Sequence, residues 1–121
     1  MHRLEKIKRK YVINTESINH VEKFLLANLH LLDVLDEATV EIKRVYPGAT
    51  LCLDAYSHGL SAKSDELGIL IKTDTNIDVA MMKMVDLDNR WWLDVMPSTK
   101  GKLFIDLYDL HNGAIDLYGD A

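Results

Sequence analysis

Glu66-Leu67-Gly68-Ile69-Leu70-Ile71-Lys72-Thr73 decides the fold. Its centre is apolar at every position apart from Gly68, the pattern of a buried central strand rather than of one with a wet face. Upstream, Ala49 to Tyr56 alternates Leu51, Leu53 and Ala55 with Thr50, Cys52, Asp54 and Tyr56, as a strand with one buried face does. The segment 57–65 between them is polar and contains Gly59, so the simplest pairing of the two strands is antiparallel. Its His58, Lys63 and Asp65 match no ligand or catalytic spacing, and it reads as a solvated connection.

Upstream again, no Gly or Pro interrupts Glu16 to Tyr46, and Pro47-Gly48 closes the stretch. Phe24, Ala27, Leu31, Val34, Leu35, Ala38, Ile42, Val45 and Tyr46 keep one helical phase throughout, which favours a continuous helix over a pair with a kink at residues 30–32. Leu25, Leu26 and Leu29, with Val40 further along, form a second apolar stripe on the side expected to be wet. Either Tyr11, Val12 and Ile13 fold back over it, or it is a contact surface for another chain. At the N-terminus Leu4, Ile7 and Tyr11 are spaced as one face of a short amphipathic helix.

Downstream, Thr75 with Asp78 resembles a capping box, and Ile77, Ala80, Met81, Met84, Val85 and Leu87 share one face of the helix that follows. Asp88 would intrude on that face, so the helix is expected to end near residues 87–89. Trp91 and Trp92 then sit in an extended segment, one indole buried and the other at least partly exposed or against a partner. Leu103, Ile105 and Leu107 alternate as a further strand, and Asn112-Gly113 is a strong hairpin signal, with Ile115 to Tyr118 as the return strand. Ile-Asp-Leu-Tyr occurs at 105–108 and again at 115–118, which weakens register and makes the edge a candidate for pairing with another molecule.

A chain of 121 residues with 48% apolar and 27% charged side chains is one globular domain. Cys52 is the one cysteine, which excludes an internal disulfide and a cysteine zinc cluster and suits a cytoplasmic location. No stretch has the length and apolarity of a membrane helix, and the basic start leads into no signal-peptide core. Charge is divided: through Tyr11 five Lys or Arg oppose Glu5, giving +4, and the remaining nine against eighteen give −9. An acidic body repels phosphate backbones and favours basic protein surfaces.

Candidate chemistry is sparse. In the expected hairpin Asp109 faces Asp116, with His111 on the same face, and these three are the one grouping able to hold a divalent cation; without orienting partners no metal or other cofactor is expected. His30, Glu37 and Glu41 read as a solvated helix face. Ser57, Ser61, Ser64 and Ser98 lie in no nucleophile elbow, and the glycines form no phosphate loop. Asp86-Leu87-Asp88-Asn89 opens like a calcium loop, but Arg90 to Leu93 supply neither its ligands nor its glycine.

The order Tyr46-Pro47-Gly48-Ala49, Leu51 to Asp54, Glu66 to Lys72 and Asp86 to Asp94 with its Trp pair resembles short bacterial α+β proteins of unknown function, over roughly residues 30–107. That resemblance implies a bacterial cytosolic protein and assigns no site.

The expected fold is α+β: a single domain over 1–121, residues 1–12 forming a flexible basic arm. A long N-terminal helix and a second helix cover one face of a small, mainly antiparallel sheet of three to four strands, in the order α-β-β-α-β-β. Tyr56, Phe104, Tyr108 and one tryptophan are expected on the other face, where aromatics among carboxylates read as a binding surface. The expected function is a non-enzymatic interaction module, an adaptor or an immunity- or antitoxin-like neutraliser of a basic protein partner. Its contact residues would be Leu25, Leu26, Leu29, Val40, Trp91 and Trp92, the leucines supporting a homodimer. A small enzyme using Asp54, Asp109 and Asp116, and a nucleic-acid binder using the basic arm against its acidic body, are the other classes.

Overall fold

The computed structural model describes residues 2–56 and 65–109. Its four-stranded sheet runs β1 (Val12–Ile13), β2 (Thr50–Tyr56), β3 (Glu66–Lys72), β4 (Leu103–Leu107), in that spatial order. Helices α1 (His2–Lys10), α2 (Ile18–Ala27), α3 (Leu31–Val45) and α4 (Ile77–Leu87) complete the α+β fold. β3 is central, with Leu67, Ile69, Leu70 and Ile71 all buried, as its apolar run requires. β2 and β3 pair antiparallel, Leu51 opposite Ile71 and Leu53 opposite Ile69.

The outer pairings are parallel, so the sheet is mixed and the expected antiparallel pairing is met at β2–β3. Parallel neighbours need a long crossover, and the chain provides two: α2 and α3 carry β1 back to β2, and α4 with the turns after it carries β3 back to β4. Alternation along the strands gives the sheet two unlike faces. Leu51, Leu53, Leu67, Ile69, Ile71, Leu103 and Leu107 join the buried residues of all four helices in one hydrophobic core. Cys52, Asp54, Tyr56, Leu70, Lys72, Phe104 and Asp106 alternate with them and face the other way.

The stretch 16–46 is two helices, not one. At Asn28 the backbone leaves the helix (φ −137°, ψ 57°), and the Asn28 side-chain amide donates to Phe24 O at 2.9 Å. That carbonyl would otherwise accept the Asn28 backbone N–H, which instead donates to Leu25 O at 3.1 Å. An asparagine that offers its own side chain to the ladder ends a helix readily. Two further i to i+3 bonds, Leu31 N–H to Asn28 O and Leu32 N–H to Leu29 O, carry the chain straight into α3. The re-aimed α2 turns Leu25 into the core, 1% exposed, and Ala27 out of it.

The basic arm is a docked helix. Leu4, Ile7 and Tyr11 are buried, and the Tyr11 hydroxyl donates to Leu35 O at 2.7 Å. Arg3 pairs with Asp33 and lies 3.6 Å from Asp36, Lys10 is also 3.6 Å from Asp36, and Lys8 pairs with Glu22. Exposed pairs of this kind contribute little, so the three buried side chains supply most of the hold.

After β3 the cap of α4 is Asn76, one residue later than expected, its Oδ1 accepting from Asp78 N–H at 2.8 Å. The helical path then continues past Leu87 through a π-helical turn (Asp88–Trp92), a short α turn (Leu93–Val95) and a 3-10 turn (Met96–Thr99). Hence Trp91 and Trp92 are both buried, correcting the expectation of one exposed indole. Neighbouring side chains on a helical turn diverge by roughly a quarter turn rather than the half turn of a strand, so both rings reach the core, 5.7 Å apart. Asp88 is carried half inside, as its position on the apolar face foretold, and burial raises its carboxyl pKa.

Gly68 permits one further close approach. A Cβ there would meet the Phe104 ring, the nearest atom at 2.5 Å, because that ring lies across the strand. Gly68→Ala is expected to lower stability by about 1 kcal/mol through overpacking, and Phe104→Leu in the same chain to recover part of it; thermal melts of the three variants check this.

Two buried tyrosines make stability sensitive to alkali. Tyr46 donates its hydroxyl to Ala80 O at 2.6 Å, and burial with Asp88 nearby pushes its pKa up to about 12; Tyr11 is raised by burial and by Asp36. The unfolded chain releases these protons near the ordinary value of 10.0. Their stabilisation is therefore complete below that pH and is lost as pH rises through the folded value. Melting temperature followed from pH 8 upward should fall more steeply for wild type than for Tyr46→Phe.

Candidate functional site

Two surfaces combine chemistry with exposure. The first is α4 and the turns that follow it. α4 gives the core little more than Ala80 and Leu87, with Met84 packed at its edge. On its outer side Ile77, Met81 and Val85 are successive i, i+4 neighbours and form one ridge. Met82 beside them is 72% exposed and Val85 59%, and Leu93 and Met96 extend the exposed apolar surface beyond the π turn. The expectation that Ile77, Met81 and Val85 face the core with Ala80 is thus corrected. α4 meets the core only along the Ala80–Leu87 line, where it packs on α3 and Ala80 O accepts from the Tyr46 hydroxyl.

Acidic residues are interleaved with this ridge. Asp74, Asp78, Asp86 and Asp94 are exposed around it. Residues 74–96 hold five aspartates against Lys83 and Arg90, a net charge of −3. Both cations are engaged locally: Lys83 Nζ stands 5.7 Å from the Tyr46 ring, and Arg90 lies 3.9 Å from Asp86. The result is a methionine-rich apolar strip inside a negative border, a surface able to repack against apolar side chains of varied shape.

The second surface is the sheet face turned away from α1–α4. Tyr56 and Phe104 rings lie 5.6 Å apart, and Tyr108 joins them, as expected; neither tryptophan does. Lys72 Nζ stands 5.2 Å from the Tyr108 ring. Asp54 and Asp106 are each steadied by the next residue's backbone, Ala55 N–H donating to Asp54 Oδ1 at 2.9 Å and Leu107 N–H to Asp106 Oδ1 at 2.8 Å. A pocket of about 240 Å³ opens here between β1, β2 and β3. Tyr56 has a raised pKa, from burial first and then from Asp54, Asp106 and Tyr108. Cys52 in the same pocket is raised by burial, with Lys72 opposing, so its thiol is a weak nucleophile.

The residues expected to form a contact surface are dispersed. Leu25, Trp91 and Trp92 belong to the core, whereas Leu26, Leu29 and Val40 are about half exposed. Asp109 is exposed and, with Tyr108, helical rather than extended, so it does not continue β4 into the expected hairpin ladder. The Asn112-Gly113 turn, His111, Asp116 and the return strand lie outside the described residues, as do His58 and Lys63. Among the described residues, no group of three or more His, Cys, Asp or Glu is placed to hold a metal ion, and no helix is long and apolar enough to cross a membrane. No protein-family model, curated protein or solved structure matches the chain.

Proposed function

We propose that the chain is a protein-interaction module that docks a basic amphipathic helix of another protein on the outer face of α4. The observation that carries the reading is the exposed row Ile77, Met81, Met82, Val85, Leu93 and Met96 within a border of aspartates. Apolar side chains at i, i+4 spacing fit the stripe of a partner helix, and methionine adapts to its shape. Lysines or arginines flanking that stripe then meet Asp74, Asp78, Asp86 and Asp94. A second copy of this chain is the poorer occupant, since symmetric docking sets these aspartates against their own counterparts.

The same charge logic favours an adaptor or neutraliser of a basic protein over a nucleic-acid binder. The body carries −9, and Arg3, Lys8 and Lys10 of the basic arm are paired with Asp33, Asp36 and Glu22. A lone cysteine fits a reducing cytoplasm. Calorimetric titration of the full chain with a designed Leu/Lys amphipathic peptide tests the reading. Saturable binding that weakens as salt rises is expected, with no binding of a Leu/Glu peptide bearing the same apolar face. Equal binding of both peptides would reduce the strip to an unspecific sticky surface. Sedimentation showing a stable homodimer that excludes the peptide would assign the strip to a second copy.

A further inference from the structure

We propose that the pocket on the sheet face turned away from α1–α4 binds a small organic cation, an alkylammonium or alkylguanidinium group, with its charge facing Asp54 and its alkyl part over Leu70 beside the tyrosine rings. Strand alternation brings the parts together. Leu70 is only 3% exposed although it lies outside the main core, so it forms an apolar floor on this face. Asp54 from β2 and Tyr108 after β4 line the pocket on either side of β3, and Val12 and Asn14 close it from the β1 side.

Lys72 shows which charge the pocket takes. Its ammonium already stands 5.2 Å from the Tyr108 ring, an internal cation on an aromatic face. Burial first, and then the carboxylates of Asp54 and Asp106, hold the proton on the Tyr56 hydroxyl, so two negative groups act at that end of the pocket. A ligand anion would have to displace Lys72 from Tyr108 and approach Asp54. A ligand cation finds the Asp54 carboxylate beside the apolar Leu70, with the Lys72 ammonium as a built-in competitor. The pocket's 240 Å³ suits a head group with a short alkyl chain rather than a larger cofactor.

That competition fixes the sign of two substitutions. Asp54→Asn keeps an oxygen for the Ala55 N–H but removes the charge, and should weaken binding about tenfold or more. Lys72→Met removes the competitor and should tighten it severalfold. The experiment is NMR titration of the full chain with n-butylammonium, n-butylguanidinium and tetramethylammonium, with butanol and butyrate as neutral and anionic controls, after melts confirm that both variants fold. Expected are saturable shifts at Leu70, Tyr56 and Tyr108 with the cations alone, weaker in Asp54→Asn and stronger in Lys72→Met. Butyrate binding that is lost in Lys72→Met would overturn the proposal. So would cation binding indifferent to Asp54→Asn, or the absence of saturation by any cation up to about 10 mM.

Discussion

Met82→Asp combined with Val85→Asp should weaken docking of a basic amphipathic peptide roughly 100-fold or more while leaving the fold intact. Both side chains are well over half exposed in the free chain, so removing them takes little from the core and shifts stability by no more than about 0.5 kcal/mol each. In the complex each would be buried against a partner side chain, worth up to about 1.5–3 kcal/mol, and an aspartate there would be desolvated as well. The lysines of the peptide recover part of that loss, so Met82→Asp alone should have the smaller effect. Calorimetry for affinity and thermal melts for stability separate the two terms.

Leu25→Ala is expected to lower stability by about 3 kcal/mol, whereas Leu26→Ala, one residue on, should change it by less than about 0.5 kcal/mol. The contrast follows from exposures of 1% and 47% at adjacent positions of α2. Chemical denaturation of the two variants measures it directly. The same contrast bears on self-association: an aspartate at Leu25 would unfold the chain rather than release a monomer, so the clean probe of a leucine-mediated dimer is Leu26→Asp with Leu29→Asp. Sedimentation of that variant beside wild type would show whether these two residues hold copies together.

The central strand was legible because a run of apolar residues that long admits few other placements, and its partner β2 because strict alternation leaves one register that buries Leu51 and Leu53. The class of the fold followed from those two and the flanking helices. What sequence periodicity could not show was the cost of a single side chain. Asn28 breaks a helix whose apolar phase runs on unchanged, because the break is made by one amide replacing one backbone donor. Periodicity also assumes a constant turn. At Asp88 the chain passes into a π turn, and both tryptophans enter the core where an extended segment would have separated them.

The aromatic and carboxylate face of the sheet was readable from alternation alone, since Tyr56, Phe104 and Tyr108 share one parity with Asp54 and Asp106 across β2 and β4. The α4 face was not. Spacing assigns its apolar positions to the core, and only the packing of α4 against α3 shows that Ala80 and Leu87 make the contact while Ile77, Met81 and Val85 turn outward. The basic arm is hidden for a related reason: its composition reads as solvated, but Leu4, Ile7 and Tyr11 dock it, and the acidic residues that pair with it, Asp33, Asp36 and Glu22, are distant in sequence.

The most direct test of docking at α4 is to follow the methionine methyl resonances of the full chain while a Leu/Lys amphipathic peptide is added. Met81, Met82 and Met96 are exposed on the proposed surface, whereas Met84 packs against the core and serves as an internal control. The expected result is saturable shifts at the three exposed methyls, small shifts at Met84, and loss of the effect at high salt. Unchanged exposed methyls in the presence of bound peptide, with shifts at Leu26 and Leu29 instead, would contradict docking on α4.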